Sequence, residues 1–334
     1  MLLSTATPLA EAYDLALVDL DGVAYRGHDS IPHASDSLAE ARTRGMRLVF
    51  VTNNASREPE SVADQLTGLG IAATSDEVMT AAQAAAALLL QHVERGSRVL
   101  VVGGAGLLTA VTAAGFEVVS SADEEPVAVV QGFAPTVGWR QLAEAAYAIG
   151  RGALHMASNL DLSLPTERGL APGNGSLVGA VRSATGITPI SAGKPQPDMY
   201  RLVVERSGAR SPLVVGDRLD TDLGGAVAAG YPGLHVLTGV SSARDAVLAP
   251  ATERPSYLAA DLRGLLEPHE APSERAGWWT LGEAAARVVD GRLELDDRSA
   301  GVDAARVACS AVWQAVDAGT DVEPTSVPEL AVGG

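Results

Sequence analysis

Residues 15 to 22 read Leu15-Ala16-Leu17-Val18-Asp19-Leu20-Asp21-Gly22: four apolar residues run straight into two carboxylates spaced two apart and a glycine. A short apolar run closed by a polar turn reads as a buried strand with its functional groups at the carboxyl end. The pattern recurs. Leu48 to Val51 runs into Thr52, Asn53 and Asn54, and Leu213 to Val215 runs into Gly216 and Asp217. Further strands are expected at Val99 to Val102, Val127 to Val130 and Leu234 to Leu237. Between them lie stretches with helical pattern at Ser35 to Arg44, Pro59 to Leu69, Ser75 to Glu94, Trp139 to Ile149, Pro197 to Ser207 and Asp222 to Ala229. Strands alternating with helices predict an α/β protein with a mostly parallel sheet. In such sheets the ligand crevice lies beyond the carboxyl ends of the strands, so the polar clusters are expected to converge there. A fourth cluster, Gly193-Lys194-Pro195, stands in a turn before the helix expected from Pro197.

The chain has 334 residues, enough for two or three domains, with 47% hydrophobic and 19% charged residues. Its net charge of −17 repels nucleic acid and anionic lipid, which argues against polynucleotide or membrane partners. The longest apolar stretch, Ala84 to Leu90, is far below the roughly 20 residues of a membrane span. The first basic residue is Arg26, so no export signal is visible. The single cysteine, Cys309, excludes a disulfide framework or thiolate zinc site and suits a cytoplasmic protein.

Asp19 and Asp21 project toward one crevice, and carboxylates brought close repel each other unless a cation joins them. An all-oxygen set with Asp217 from another strand suits a hard divalent ion, Mg²⁺ above all. Thr52 and Asn53 add a hydroxyl and an amide. Of 24 basic residues only Lys194 is a lysine. An ammonium acts on phosphate as a compact point charge, where arginine would impose a planar fork. Phosphate-monoester hydrolysis needs accelerations of up to about 10²¹-fold, and one general base supplies only about 10²- to 10⁴-fold. A covalent route with metal and cationic clamps meets that demand.

The ordered set DLDGV at 19 to 23, VTNNAS at 51 to 56, GKPQPD at 193 to 198 and GDRLDTD at 216 to 222 resembles the haloacid dehalogenase superfamily, in its NagD-type or p-nitrophenyl phosphatase-like branch. The resemblance implies a Rossmann-like core at 1 to 81 and 185 to 267, split by an inserted α/β cap at 82 to 184. A small α+β extension would follow at 268 to 334. It implies Asp19 as nucleophile forming an aspartyl-phosphate and Asp21 as general acid and base. Thr52, Asn53 and Lys194 would hold the phosphoryl group, and Asn54 and Arg57 would face the substrate loop. The Mg²⁺ ligands would be Asp19, Asp217 and the backbone carbonyl of Asp21, with Asp222 behind them as an occasional ligand. Ser158 to Val181 resembles the cap loop, and the apolar Leu164 before Pro165 points to a small leaving group. The expected reaction is hydrolysis of a small phosphorylated metabolite, glycerol 3-phosphate first and 2-phosphoglycolate second, and a homodimer through the cap is expected of this branch.

Three other readings compete. Val101 to Gly106, VVGGAG, resembles a nucleotide-binding turn of an oxidoreductase, but the third glycine of that fingerprint is Thr109, so a close-packed turn is the expectation. The Asp217, Asp220, Asp222 run lacks the glycine and glutamate of a calcium loop. A non-catalytic phospholigand sensor would be expected to lack one of Asp19, Asp21, Lys194 or Asp217, and all are present. In the extension, helices are expected at Leu281 to Val289 and Val302 to Ala318 around a strand at Arg292 to Asp296. Trp278, Trp279 and Trp313 are expected to pack on the extension or the core, with no acyl-CoA loop and so no transferase activity.

Overall fold

The computed structural model describes residues 1–166 and 168–332. Position 167, inside the loop read at 158 to 181, and positions 333 and 334, at the end of the extension, lie outside the described residues. The chain divides into two compact units, 1–50 with 66–72 and 204–334, and 51–65 with 73–203. The insertion read at 82 to 184 falls wholly within the second, and the described part of the extension within the first.

In the first unit the strands Tyr257–Ala259, Gly233–Val236, Pro212–Gly216, Leu15–Val18 and the Arg47 to Phe50 part of Arg47–Thr52 are neighbours in that order, every pair parallel. Leu15–Val18 and Pro212–Gly216 are buried at every position, as near-continuous apolar runs between two helical layers must be. The chain winds outward from Leu15–Val18 in one direction through Arg47–Thr52 and later in the other through Pro212–Gly216. The boundary between these two central strands is therefore a topological switch point, where open α/β sheets place ligands. Register pairs Val18 with Val215, so Asp19 and Asp217 leave the sheet side by side.

The extension builds an antiparallel meander, Ser273–Arg275, Trp278–Leu281, Ala284–Val289 and Arg292–Leu295, covered by the helix Gly301–Asp317. The helix expected at Leu281 to Val289 is thus a strand end, a turn and a strand. Its Ala-rich wording has helical propensity, but pairing on both sides overrides it. The turn signals were legible: Asp290 and Gly291 take φ of 49° and 74°, the conformation of a two-residue hairpin with an Asp-Gly turn. The helix Gly301–Asp317 buries Ala305, Ala308, Cys309, Ala311 and Trp313 in one apolar cluster with Leu223, Ala246, Val247 and Leu258 of the core. Trp313 donates its Nε1 hydrogen to the carbonyl of Ala246 at 3.1 Å.

The second unit carries a parallel sheet in the order Ile190–Ser191, Leu154–Ala157, Ala128–Gln131, Arg98–Val102, Glu117–Val119. The single helix expected over Ser75 to Glu94 is broken into a 3₁₀ turn Ser75–Glu77, a strand Val78–Thr80 and a helix Ala81–Leu89. Two capping boxes explain the break. Thr74 pairs with Glu77, then Thr80 pairs with Gln83, each closing the backbone donors of a new start. The VVGGAG turn is close-packed as expected: a Cβ on Gly106 would lie 2.3 Å from the carbonyl oxygen of Arg57. Among the described residues no helix is long and apolar enough to cross a membrane.

Candidate active site

The amide of Asp19 donates to the carbonyl of Val215 at 2.8 Å, extending the parallel ladder one residue beyond the strand. On the neighbouring strand end stands Asp217, fully buried. A π-type turn, Leu219–Leu223, then swings Asp222 back, so that Asp19, Asp217 and Asp222 each place a carboxylate oxygen within 4.8 Å of the other two. Asp222 is held by the backbone N–H of Arg218 at 3.2 Å. Asp21 is exposed and lies outside this three-carboxylate group, in a tight turn in which the Leu20 carbonyl accepts from Ala24 at 2.9 Å and Tyr25 at 3.1 Å.

A third strand end, after Gly233–Val236, completes the cradle. Val240 donates its backbone N–H to Asp217 Oδ2 at 2.7 Å, and Thr238 donates its hydroxyl to the Gly22 carbonyl at 2.6 Å. Two glycines make room for the carboxylate. A Cβ on Gly22, whose φ is +87°, would stand 2.5 Å from Asp217 Oδ2, and one on Gly239 only 1.8 Å from it. The glycine of the DLDG stretch is therefore required twice, by its backbone conformation and by the acid it faces. Thr238, Gly239 and Val240 were not singled out from sequence, although they directly follow a predicted strand, the signal that identified the other clusters.

His235 lies fully buried beneath Asp217, and its Nε2 approaches the Asp217 carbonyl at 3.2 Å. A carbonyl only accepts, so Nε2 carries the proton. Burial pushes the His235 pKa down to about 4, with the carbonyl contact opposing it, so the ring is neutral near pH 7.

The second unit gathers the other predicted groups. Thr52 is buried and its Oγ1 accepts the Asn54 N–H at 3.1 Å. Asn53 clamps the Lys194 backbone at two points: Oδ1 accepts the Lys194 N–H at 2.9 Å and Nδ2 donates to its carbonyl at 3.1 Å. Lys194 is 4% exposed, and its Nζ lies 3.4 Å from the carbonyl of Val51. Asn54 and Arg57 make local hydrogen bonds. Asn54 Oδ1 accepts from the Ser56 and Arg57 amides at 2.8 and 3.2 Å, and the Arg57 guanidinium donates to Ser61 and Gln65. Asn54 thereby closes the turn that leads into the helix Pro59–Gly68, and Arg57 lies against that helix.

Three carboxylates this close, two of them buried, are a hard donor set of oxygens alone, which fits Mg²⁺ and not a soft or thiophilic metal. A covalent or metal-assisted hydrolase built on a Rossmann-like sheet is the class these features define. The haloacid dehalogenase-like hydrolase family matches residues 16–117, and a second HAD-hydrolase-like family matches residues 191–265. The chain is 47% identical over 315 residues to the D-glycerol 3-phosphate phosphatase of Mycobacterium tuberculosis, covering 92% of this chain and 88% of that protein. It belongs to the haloacid dehalogenase-like hydrolases. An acid sugar phosphatase of Staphylococcus saprophyticus is 34% identical over 260 residues, 77% of this chain and 98% of that one. The glycerol phosphate phosphatase of M. tuberculosis crystallised with magnesium superposes with a TM-score of 0.86 at 46% identity, covering 92% of both chains.

Proposed function

We propose that the protein is a Mg²⁺-dependent phosphatase of a small phosphate monoester, with glycerol 3-phosphate the first candidate and 2-phosphoglycolate the second. The observation that carries the reading is the Asp19, Asp217 and Asp222 cluster at the switch point of the parallel sheet. The similarity to the mycobacterial D-glycerol 3-phosphate phosphatase supports the substrate. Leu164, apolar and half-buried, supports a small leaving group.

In this reading a carboxylate oxygen of Asp19 attacks phosphorus and the ester P–O bond breaks. Asp21, whose side chain is exposed, gives its proton to the departing alkoxide. The Asp21 carboxylate then takes a proton from the water that attacks the aspartyl-phosphate, which releases inorganic phosphate and restores Asp19. Thr52, Asn53 and Lys194 hold the phosphoryl oxygens, donating a hydroxyl, a backbone N–H in place of the Asn53 side-chain amide that Lys194 and Asp161 engage, and a full positive charge. Asp19, Asp217 and the Asp21 carbonyl, with Asp222 beside them, would hold the metal ion, which when bound neutralises charge on the carboxylates and the phosphoryl group. A cytoplasmic location and a homodimer through the inserted segment belong to the same proposal. Trp139 and Tyr147, both exposed on the helix Trp139–Gly150, support the dimer, and sedimentation of a Trp139→Glu variant tests it.

The deciding experiment is phosphate release from a panel holding glycerol 3-phosphate, 2-phosphoglycolate, p-nitrophenyl phosphate and sugar phosphates, with Mg²⁺ and with chelator. Metal-dependent release from small monoesters is expected, fastest from glycerol 3-phosphate. Turnover of none of them would end the reading, and a different fastest substrate would remove only the substrate.

A further inference from the structure

Three asparagines lie end to end inside the second unit. Asn174, 2% exposed, opens the helix Asn174–Thr185, and its Nδ2 donates to the carbonyls of Asn159 at 2.7 Å and Gln131 at 3.3 Å. Asn159, 5% exposed, donates its own Nδ2 to the carbonyl of Asn53 at 2.7 Å, and its Oδ1 accepts the Asp161 N–H at 3.2 Å. Asn53 in turn clamps Lys194, and its Nδ2 stands 3.2 Å from each oxygen of the Asp161 carboxylate. Each amide faces a backbone carbonyl that can only accept, so the orientation of all three is determined by chemistry.

The packing around the chain of amides leaves no slack. A Cβ on Gly193 would fall 2.6 Å from the Ser158 carbonyl oxygen, 2.7 Å from Asn53 Oδ1 and 2.9 Å from Asn159 Cβ. On the other side, Cβ atoms on Gly173 and Gly175 would fall 2.3 Å from the Asp161 carbonyl oxygen and 2.2 Å from that of Leu160. Burying an amide is unfavourable unless its hydrogen bonds are made, and an apolar side chain would fill the same space without that cost. Here the donors of the series end on the two backbone segments that carry Asn53 and Lys194.

We infer that Asn159 is a positioning residue for the reaction: it presets the Asn53 backbone, and through Asn53 the Lys194 turn, before substrate arrives. A second contact, from Asn53 Nδ2 to Asp161, joins that turn to the residues just before the hairpin Ser163–Thr166 and Gly169–Pro172. This rests on the assignment of Thr52, Asn53 and Lys194 to phosphate binding.

The test is Asn159→Asp in the full chain. The side chain keeps its size and its acceptor toward the Asp161 N–H, but turns an oxygen toward the Asn53 carbonyl. Displacement of a reacting group by about 1 Å costs about 10²-fold, so kcat on a small phosphomonoester should fall about 10²-fold. Inhibition by inorganic phosphate should weaken about tenfold, the scale of one hydrogen bond. The Mg²⁺ concentration for half-activation should stay at the wild-type value. A merely structural role would lower the thermal midpoint and leave kcat and phosphate inhibition of the folded protein as in wild type, and that result overturns the inference. If Asn159→Asp does not fold, Asn159→Ser carries the same expectation at about tenfold in kcat, and an unchanged kcat overturns it equally. Lys194→Ala, measured alongside, separates the two levels. If it leaves phosphate inhibition intact, the phosphate-site assignment itself falls. If it weakens inhibition while the Asn159 variants do not, only the positioning role falls.

Discussion

Replacing Gly239 by alanine tests the carboxylate cradle through space alone, because Gly239 does not need the left-handed backbone that Gly22 takes. The added Cβ would lie 1.8 Å from Asp217 Oδ2, and real contacts of a Cβ essentially never fall under 3.0 Å, so the carboxylate must withdraw by 3.0 − 1.8 = 1.2 Å or more. Withdrawal breaks the 2.7 Å hydrogen bond from Val240 N–H, a bond to a charged group worth about 1.5 to 3 kcal/mol. A misplacement of about 1 Å at a reacting centre costs about 10²-fold in rate. Gly239→Ala should therefore lose about 10²-fold in kcat/KM and need more Mg²⁺ for half-activation, while substrate KM at saturating metal changes little. The assay is steady-state phosphate release titrated with Mg²⁺, beside a Gly179→Ala control. Gly179 sits in the helix Asn174–Thr185 with nothing within 4 Å of its would-be Cβ. That control should keep wild-type kinetics and gain about 0.5 to 1 kcal/mol of stability. A folded Gly239→Ala enzyme with wild-type Mg²⁺ response would refute the assignment of Asp217 to the metal.

Three further outcomes are expected. Asp19→Asn should abolish turnover and keep the fold, and chelation of Mg²⁺ should do so reversibly; full activity in the variant excludes the covalent route, with phosphate release and circular dichroism as the checks. Trp313→Ala removes a fully buried ring and its hydrogen bond to Ala246, which should destabilise the first unit by about 3 to 5 kcal/mol in urea titrations; a loss under about 1 kcal/mol would mean the extension is not anchored there. His269, buried where Arg306 meets it at 3.4 Å, has its pKa lowered first by burial and then by the Arg306 charge, against its contact with the Gly264 carbonyl. The unfolded chain then binds the extra proton, so His269 contributes full stability above its unfolded pKa of about 6.5 and loses it as pH falls below that value. His269→Gln should flatten the slope of stability against pH on the acid side, and an unchanged slope counts against a buried neutral ring.

The parallel core and the groups at its strand ends were legible because both are local: an apolar run of strand length is followed at once by Asp19, by Thr52 and Asn53, or by Asp217. The order of the strands then brings Asp19 beside Asp217, since a parallel sheet whose chain winds both ways from Leu15–Val18 aligns the two carboxyl ends. The extension shows the opposite case. Ala284–Val289 has helical wording and becomes a strand, because a partner on each edge outweighs a propensity of a few tenths of a kcal/mol per residue.

Sequence by itself determined the chemistry carried by each segment: the carboxylates after two strands, the lone lysine, the hydroxyl and amide at 52 and 53. Tertiary structure decided which residues serve them. Asp222 joins the carboxylates only through the π-type turn, Gly239 matters only because the Asp217 carboxylate packs against it, and Asn159 reaches Asn53 across 106 positions of chain. The reason is physical. Hydrogen bonds and close packing depend on distances in space, and a backbone carbonyl or an absent Cβ leaves no mark on the residue pattern that a distant partner must match.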